Sequence, residues 1–166
     1  MELYILRHGI AVTRGATGYE NDCERPLTPE GRKKVRRIAK ATRRMKLSFD
    51  LILSSPYVRA RQTAEIVAQV LKAGRRLKFS EHLASDGDPE ELVDQLKSLY
   101  HAPRCLVLVG HEPYLSQLIS KLVTGGTDLA LNLKKGGLCK LTVRRLSYSR
   151  CATLEWLLTP RLMIDD

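Results

Sequence analysis

Apolar residues along the chain fall into short unbroken runs, separated by longer stretches where they return every third or fourth position. Leu3-Tyr4-Ile5-Leu6, Leu51-Ile52-Leu53 and the run from Cys105 to Val109 are apolar throughout. Runs of that length without polar alternation mark strands covered on both faces. Leu77-Lys78-Phe79 reads as a shorter strand, and 138–143 and 152–158 as two more joined by a short polar turn. Between these runs the period lengthens. Val35, Ile38, Ala39, Thr42 and Met45 keep helical spacing, so a helix is predicted from Thr28-Pro29-Glu30 to about residue 45, with Thr28 as N-cap and Pro29 in its first turn. A second helix follows Ser54-Ser55-Pro56 and runs to about Leu71, again with serine before proline at its start. A third runs from Pro89 to about Tyr100, and a fourth, carrying Leu115, Leu118, Ile119 and Leu122, follows Gly110-His111-Glu112-Pro113. Residues 8–27 and 81–88 read as polar loops.

Strands alternating with helices predict an α/β fold: three layers, α/β/α, around a mainly parallel sheet, with the last strand pair adding an antiparallel edge. No repeat, low-complexity tract or linker divides residues 1–166, so a single domain is expected, long enough to bury a real core.

Charge and cysteine content narrow the picture. The net charge of +10 would attract phosphate groups. With nine aromatics and no aromatic–basic interleaving, no nucleic-acid partner is expected. Much of the charge (Arg32, Lys33, Lys34, Arg36, Arg37, Arg43 and Arg44) reads instead as the solvated face of the first helix. The field also suits an anionic substrate or an acidic protein. Cys23, Cys105, Cys139 and Cys151 form no C-x-x-C pair and no zinc-like spacing, so they are read as reduced thiols with no metal site. No apolar run approaches the ~20 residues of a membrane span, and no leader pattern opens the chain, so a cytoplasmic protein is expected. Nothing in the sequence demands more than a monomer.

Three of the buried strands end in comparable chemistry. The first stops at Arg7-His8-Gly9, the second leads to Arg59 near a helix start, and the third stops at Gly110-His111. Parallel strands present their C-terminal ends on one edge, where open α/β sheets hold ligands. Two arginines and two histidines are therefore expected to converge, a donor set suited to a phosphoryl group. Gly9 removes a side chain where something must approach the backbone closely. His82 reads as a loop residue and His101 as a surface one.

Leu6-Arg7-His8-Gly9, Ser54-Ser55-Pro56 with Arg59-Ala60 and Gln62-Thr63-Ala64, and Val109-Gly110-His111 together resemble the histidine phosphatase (phosphoglycerate-mutase-like, RHG) superfamily over essentially the entire chain. Arg7-His8-Gly9-Ile10-Ala11, Arg25-Pro26-Leu27-Thr28 and Gly110-His111-Glu112-Pro113 are similar to its SixA-type phosphohistidine phosphatase branch. The resemblance implies a cofactor-free, metal-independent phosphatase in which His8 becomes phosphorylated. Arg7, Arg59, His111 and Gly9 would then bind the phosphate, with His111 most useful when protonated.

One departure bears on the substrate. Many members of the family carry a general acid after a Glu-x-Leu-x-Glu type segment. Here the text is Glu81-His82-Leu83-Ala84-Ser85, so Ser85 falls at the acid's position, with Asp86 and Glu81 as nearby alternatives. A phosphoramidate loses imidazole, a leaving group that needs little acid help, so phosphohistidine in a protein is favoured over alkyl esters. The short loops predict an open mouth, which suits a protein substrate and argues against a mutase, since a mutase must shield its intermediate from water. A broad phosphomonoesterase acting on small phosphorylated substrates, with Asp86 or Glu81 lending the proton, is the alternative enzyme. A catalytically silent phosphoprotein-binding module is the alternative from another class.

Overall fold

In the computed structural model, which describes residues 1–99 and 101–164, six strands form one sheet. They are β1 (Glu2–Arg7), β2 (Leu51–Ser54), β3 (Leu77–Phe79), β4 (Cys105–Gly110), β5 (Leu138–Val143) and β6 (Ala152–Leu158), ordered β3-β2-β4-β1-β5-β6. The first four in that order run parallel. β5 is antiparallel to both β1 and β6, so the reversed strand is β5, one place in from the edge. The sheet is mainly parallel with its antiparallel pairing confined to one side, as the pattern predicts.

The helices are α1 (Pro29–Arg44), α2 (Val58–Val70), α3 (Pro89–Lys97), α4 (Tyr114–Thr124) and a single turn, α5 (Pro160–Met163). Successive strand residues face opposite sides. Tyr4, Leu6, Ile52, Val107 and Val109 therefore share one core with Val35 and Ile38 of α1, Ala64 and Val67 of α2 and Met163 of α5. Leu3, Ile5, Leu53, Leu106 and Leu108 share the other with Leu92 and Leu96 of α3 and Leu115, Leu118 and Ile119 of α4. That division produces the three layers. The basic side of α1 is solvated, as expected: Lys33, Arg36, Arg37, Arg43 and Arg44 are exposed, and Arg32 and Lys34 half-buried. No helix among the described residues is long and apolar enough to cross a membrane.

Local boundaries differ from the pattern in three places. α2 starts at Val58 rather than at the Ser-Pro step, because Ser55-Pro56-Tyr57 forms the connection that leaves β2; there the Ser55 hydroxyl accepts the Tyr57 N–H at 3.2 Å. α3 ends at Lys97, and Tyr100, its predicted end, lies outside the described residues. The polar loops hold short 3-10 turns at Asp22–Glu24 and Glu81–Leu83. At α1 the predicted cap is present: the Thr28 hydroxyl accepts the Gly31 N–H at 2.9 Å.

Candidate active site

Pairing register brings three strand ends level. Arg7 lies opposite Gly110, and Ser54 opposite Val109. The ladder continues one step further, with the His8 N–H donating to Gly110 O at 3.0 Å and the Ser55 N–H to Val109 O at 2.9 Å. His8, Ser55 and His111 therefore land on one edge of the sheet, and Arg59 reaches it from the first turn of α2.

His8 is buried and its tautomer is dictated by its neighbours. Nδ1 lies 2.7 Å from Gly9 O. A carbonyl can only accept, so Nδ1 carries the proton and Nε2 presents a lone pair. The Arg59 Nε–H donates to that Nε2 at 3.3 Å. The His111 ring sits beside His8 with centroids 5.1 Å apart, and Tyr57 flanks His111 at the same spacing. His111 Nε2 lies 2.8 Å from Ser55 Oγ, a hydroxyl that also accepts the Tyr57 amide and can meet the imidazole as donor or as acceptor. His111 Nδ1 is buried with no hydrogen-bond partner among the described residues, as is Arg7 Nε. Buried polar atoms are rarely left unmatched unless they serve a ligand or water.

His8, Arg59 and His111 come together, and Arg7 precedes His8 at the same strand end with its Nη1 on Leu133 O. At Gly9 the close approach is made by the protein itself. The Gly9 N–H is taken by Thr63 Oγ1 at 3.1 Å, and a Cβ there would stand 2.5 Å from Val35 Cγ2. What approaches Gly9 is helix α1, so the missing side chain lets loop and helix pack closely. Of the acid alternatives, Asp86 accepts the Tyr57 hydroxyl at 2.9 Å, on the exposed rim. Glu81 is exposed in its 3-10 turn, and Ser85 Oγ is 3.5 Å from Arg59 Nη2. His82 is half-buried in the same turn and His101 is exposed.

Two components were not identified from the sequence. Asp22 faces the arginines: its Oδ2 accepts Arg59 Nη2 at 2.7 Å and its Oδ1 accepts Arg25 Nη2 at 2.7 Å and Arg14 Nε at 3.0 Å. Arg59 Nη1 also donates to Asp22 O. A guanidinium only 3% exposed needs such compensation. Asp22 sits three residues before the Arg25-Pro26-Leu27 segment, the one local signal that pointed to it. The second component is the segment 133–137. Arg7 Nη1 donates to Leu133 O at 2.9 Å, Gly136 N donates to both Arg7 O and His8 O, and Arg7 N donates to Gly137 O at 3.2 Å. Gly136 adopts φ +78, a conformation other residues rarely take. Among the described residues no three His, Cys, Asp or Glu side chains converge as metal ligands would.

Burial sets the protonation states. It pushes His8 down to about 3, with Arg59, Arg7 and Lys135 adding to the effect against the opposing Gly9 carbonyl. His111 goes to about 2, first through burial and then through Arg59 and His8. Both rings are thus neutral near pH 7. For Asp22 burial acts upward, but its bond to Arg25 and the charge of Arg59 outweigh it and bring the carboxyl to about 2.

A pH dependence of stability follows. In the unfolded chain each imidazole protonates below about pH 6.5. In the folded protein neither does until far lower pH, so the unfolded chain binds more protons and stability falls as pH drops. From pH 7.5 to 5.5 the two histidines are expected to cost up to about 3 kcal/mol, measured by urea unfolding. Asp22 works in a different window: its contribution is complete above about pH 4 and is lost as pH falls toward 2. A His8→Asn/His111→Gln protein with the same slope between pH 7.5 and 5.5 would contradict this assignment.

Comparison with known proteins agrees with this geometry. The sequence model of the histidine phosphatase superfamily (branch 1) matches residues 3–84. Phosphohistidine phosphatase SixA of Escherichia coli is 31% identical over 128 residues, 76% of this chain and 77% of that protein. An uncharacterized protein of Picosynechococcus is 40% identical over 142 residues, 85% of this chain and 84% of its own. Among solved structures, the protein histidine phosphatase SixA complexed with tungstate superposes with a TM-score of 0.81 at 26% identity, covering 96% of this chain and 97% of that one.

Proposed function

Since the chain belongs to the histidine phosphatase superfamily, we propose that it is a phosphatase acting through a phosphohistidine intermediate on His8, with phosphohistidine in a protein as its substrate. The observation that carries this reading is the His8 Nε2 lone pair, fixed by the Nδ1–Gly9 bond and set beside Arg59. In the first step Nε2 forms a bond to phosphorus while the bond from phosphorus to the departing imidazole nitrogen breaks. In the second, water attacks phosphorus in line, the Nε2–phosphorus bond breaks and inorganic phosphate leaves. Arg7, Arg59 and His111 hold the oxygens, and the fixed positive charge of the arginines stabilises both transition states without a metal.

The substrate class rests on the leaving group. An alkyl ester departs as an alkoxide that must be protonated, and the side chain nearest Arg59 at the expected acid position is the hydroxyl of Ser85. Asp86 is exposed and its Oδ1 is taken by the Tyr57 hydroxyl. An imidazole whose other ring nitrogen has taken a proton from solvent leaves as a neutral molecule without an acid on the enzyme, and the E. coli relative carries the same activity in its name. The kcat/KM for a phosphohistidine-bearing protein is expected to exceed that for phosphoserine by about 10²-fold or more, the scale of a missing general acid. Faster phosphoserine turnover, abolished by Asp86→Asn, would replace this reading with the phosphomonoesterase one.

A further inference from the structure

Beside the phosphate edge lies an open groove of about 540 Å³ with Arg7 in its wall. Lys34 from α1, Lys134 and Lys135 from the segment that clasps β1, and Arg161 from α5 ring it, over a floor that includes Ile10 and Pro160. Among the described residues no carboxylate lines it and none of these four cations makes an ion pair. Resting on the phosphohistidine reading above, we propose that this groove docks an acidic segment of the phosphorylated protein, next to the residue whose phosphoryl group enters the site.

Three observations support that occupant. Arg7 lines the groove and directly precedes His8 at the end of β1, so the groove borders the site where phosphate would be delivered. The two lysines are also held in register with the reacting ring, because Gly136, next in sequence to Lys135, donates to the carbonyls of Arg7 and His8. Lys135 is close enough for its charge to act on His8. Finally, like charges on three separate elements face one trough. Such a cluster repels itself unless an anionic partner neutralises it, and it favours acidic partners in both encounter and selection.

The test uses two fluorescent peptides of equal length, each with the same stable phosphoryltriazole isostere of phosphohistidine, one flanked by Asp and Glu and the other by Lys. Binding to the full protein is read by anisotropy at 50 and 500 mM salt. The acidic peptide is expected to bind about 10-fold or more tightly than the lysine peptide, a gap that shrinks at high salt as the charges are screened. In Lys34→Glu/Arg161→Glu, two groove positions outside the site and the segment that holds it, the gap should close or invert while turnover of free phosphohistidine stays within about twofold. Equal affinity of the two peptides, absence of measurable binding by either, or an equal loss for both in the variant overturns the proposal. So does a single-stranded RNA of similar length that binds more tightly and displaces the acidic peptide. Binding of the isostere needs no turnover, so an enzyme inactive on free phosphohistidine overturns the reaction assignment and leaves the docking result readable.

Discussion

His8→Ala is expected to lower kcat/KM toward phosphohistidine by about 10⁴-fold or more, the scale seen when a covalent nucleophile is removed. The same protein should carry no acid-labile phosphate after quenching from steady state, whereas the native chain should show one phosphoryl group on the peptide containing His8. The reason is geometric as well as chemical. His8 Nε2 is the ring nitrogen with a lone pair directed at Arg59, and the Nδ1 contact to Gly9 O prevents the ring from exchanging roles. His111 is placed differently, because Ser55 Oγ covers its Nε2 at 2.8 Å. Folding is not the explanation to fear, since a neutral ring making one backbone bond leaves a modest cavity. Far-UV circular dichroism and urea unfolding at pH 7.5 check that directly. A folded His8→Ala protein that retains activity would remove the nucleophile from the reaction.

Arg59→Ala is expected to cost about 10²–10³-fold in kcat/KM, the loss typical of one preorganised donor to a developing anion. A second cost falls on stability. Arg59 is buried and its guanidinium spans His8 and Asp22, so its removal leaves the Asp22 carboxylate with Arg25 and Arg14 alone. Breaking such a pair from one side is more damaging than never having built it. Arg59→Lys separates the two effects. A lysine restores positive charge, but it cannot place one N–H on His8 Nε2 and two more on Asp22 at the same time. The lysine protein should therefore recover much of the melting temperature and little of the rate. Recovery of activity to within about threefold would show that charge alone suffices and that the planar fork is not used.

Much of the site was legible in the sequence because its parts are local. An apolar run that stops at a charged or turn residue marks both a strand and its end, and parallel strands put such ends on one edge. Arg7, His8 and His111 were found by that reasoning, and Arg59 by its place at the start of a helix after the second strand. The capped start of α1 and the alternating order of elements were equally local. Gly9 shows where the method stops. A glycine announces that something comes close, and the sequence does not say whether that is a ligand or, as here, Val35 of the neighbouring helix.

By itself, then, the sequence determined the periodic elements, the layered α/β class and the chemistry at the strand ends, since each depends on residues within a few positions of one another. The tertiary structure alone decided which distant groups complete the site. Asp22 reaches Arg59 across 37 positions, and the Leu133 carbonyl holds Arg7 across 126. Those partners come from loops without periodicity, and no local pattern records where a loop comes to rest. Their places follow from the buried charge of Arg59 and the backbone groups at the end of β1, which must be satisfied once the core has closed.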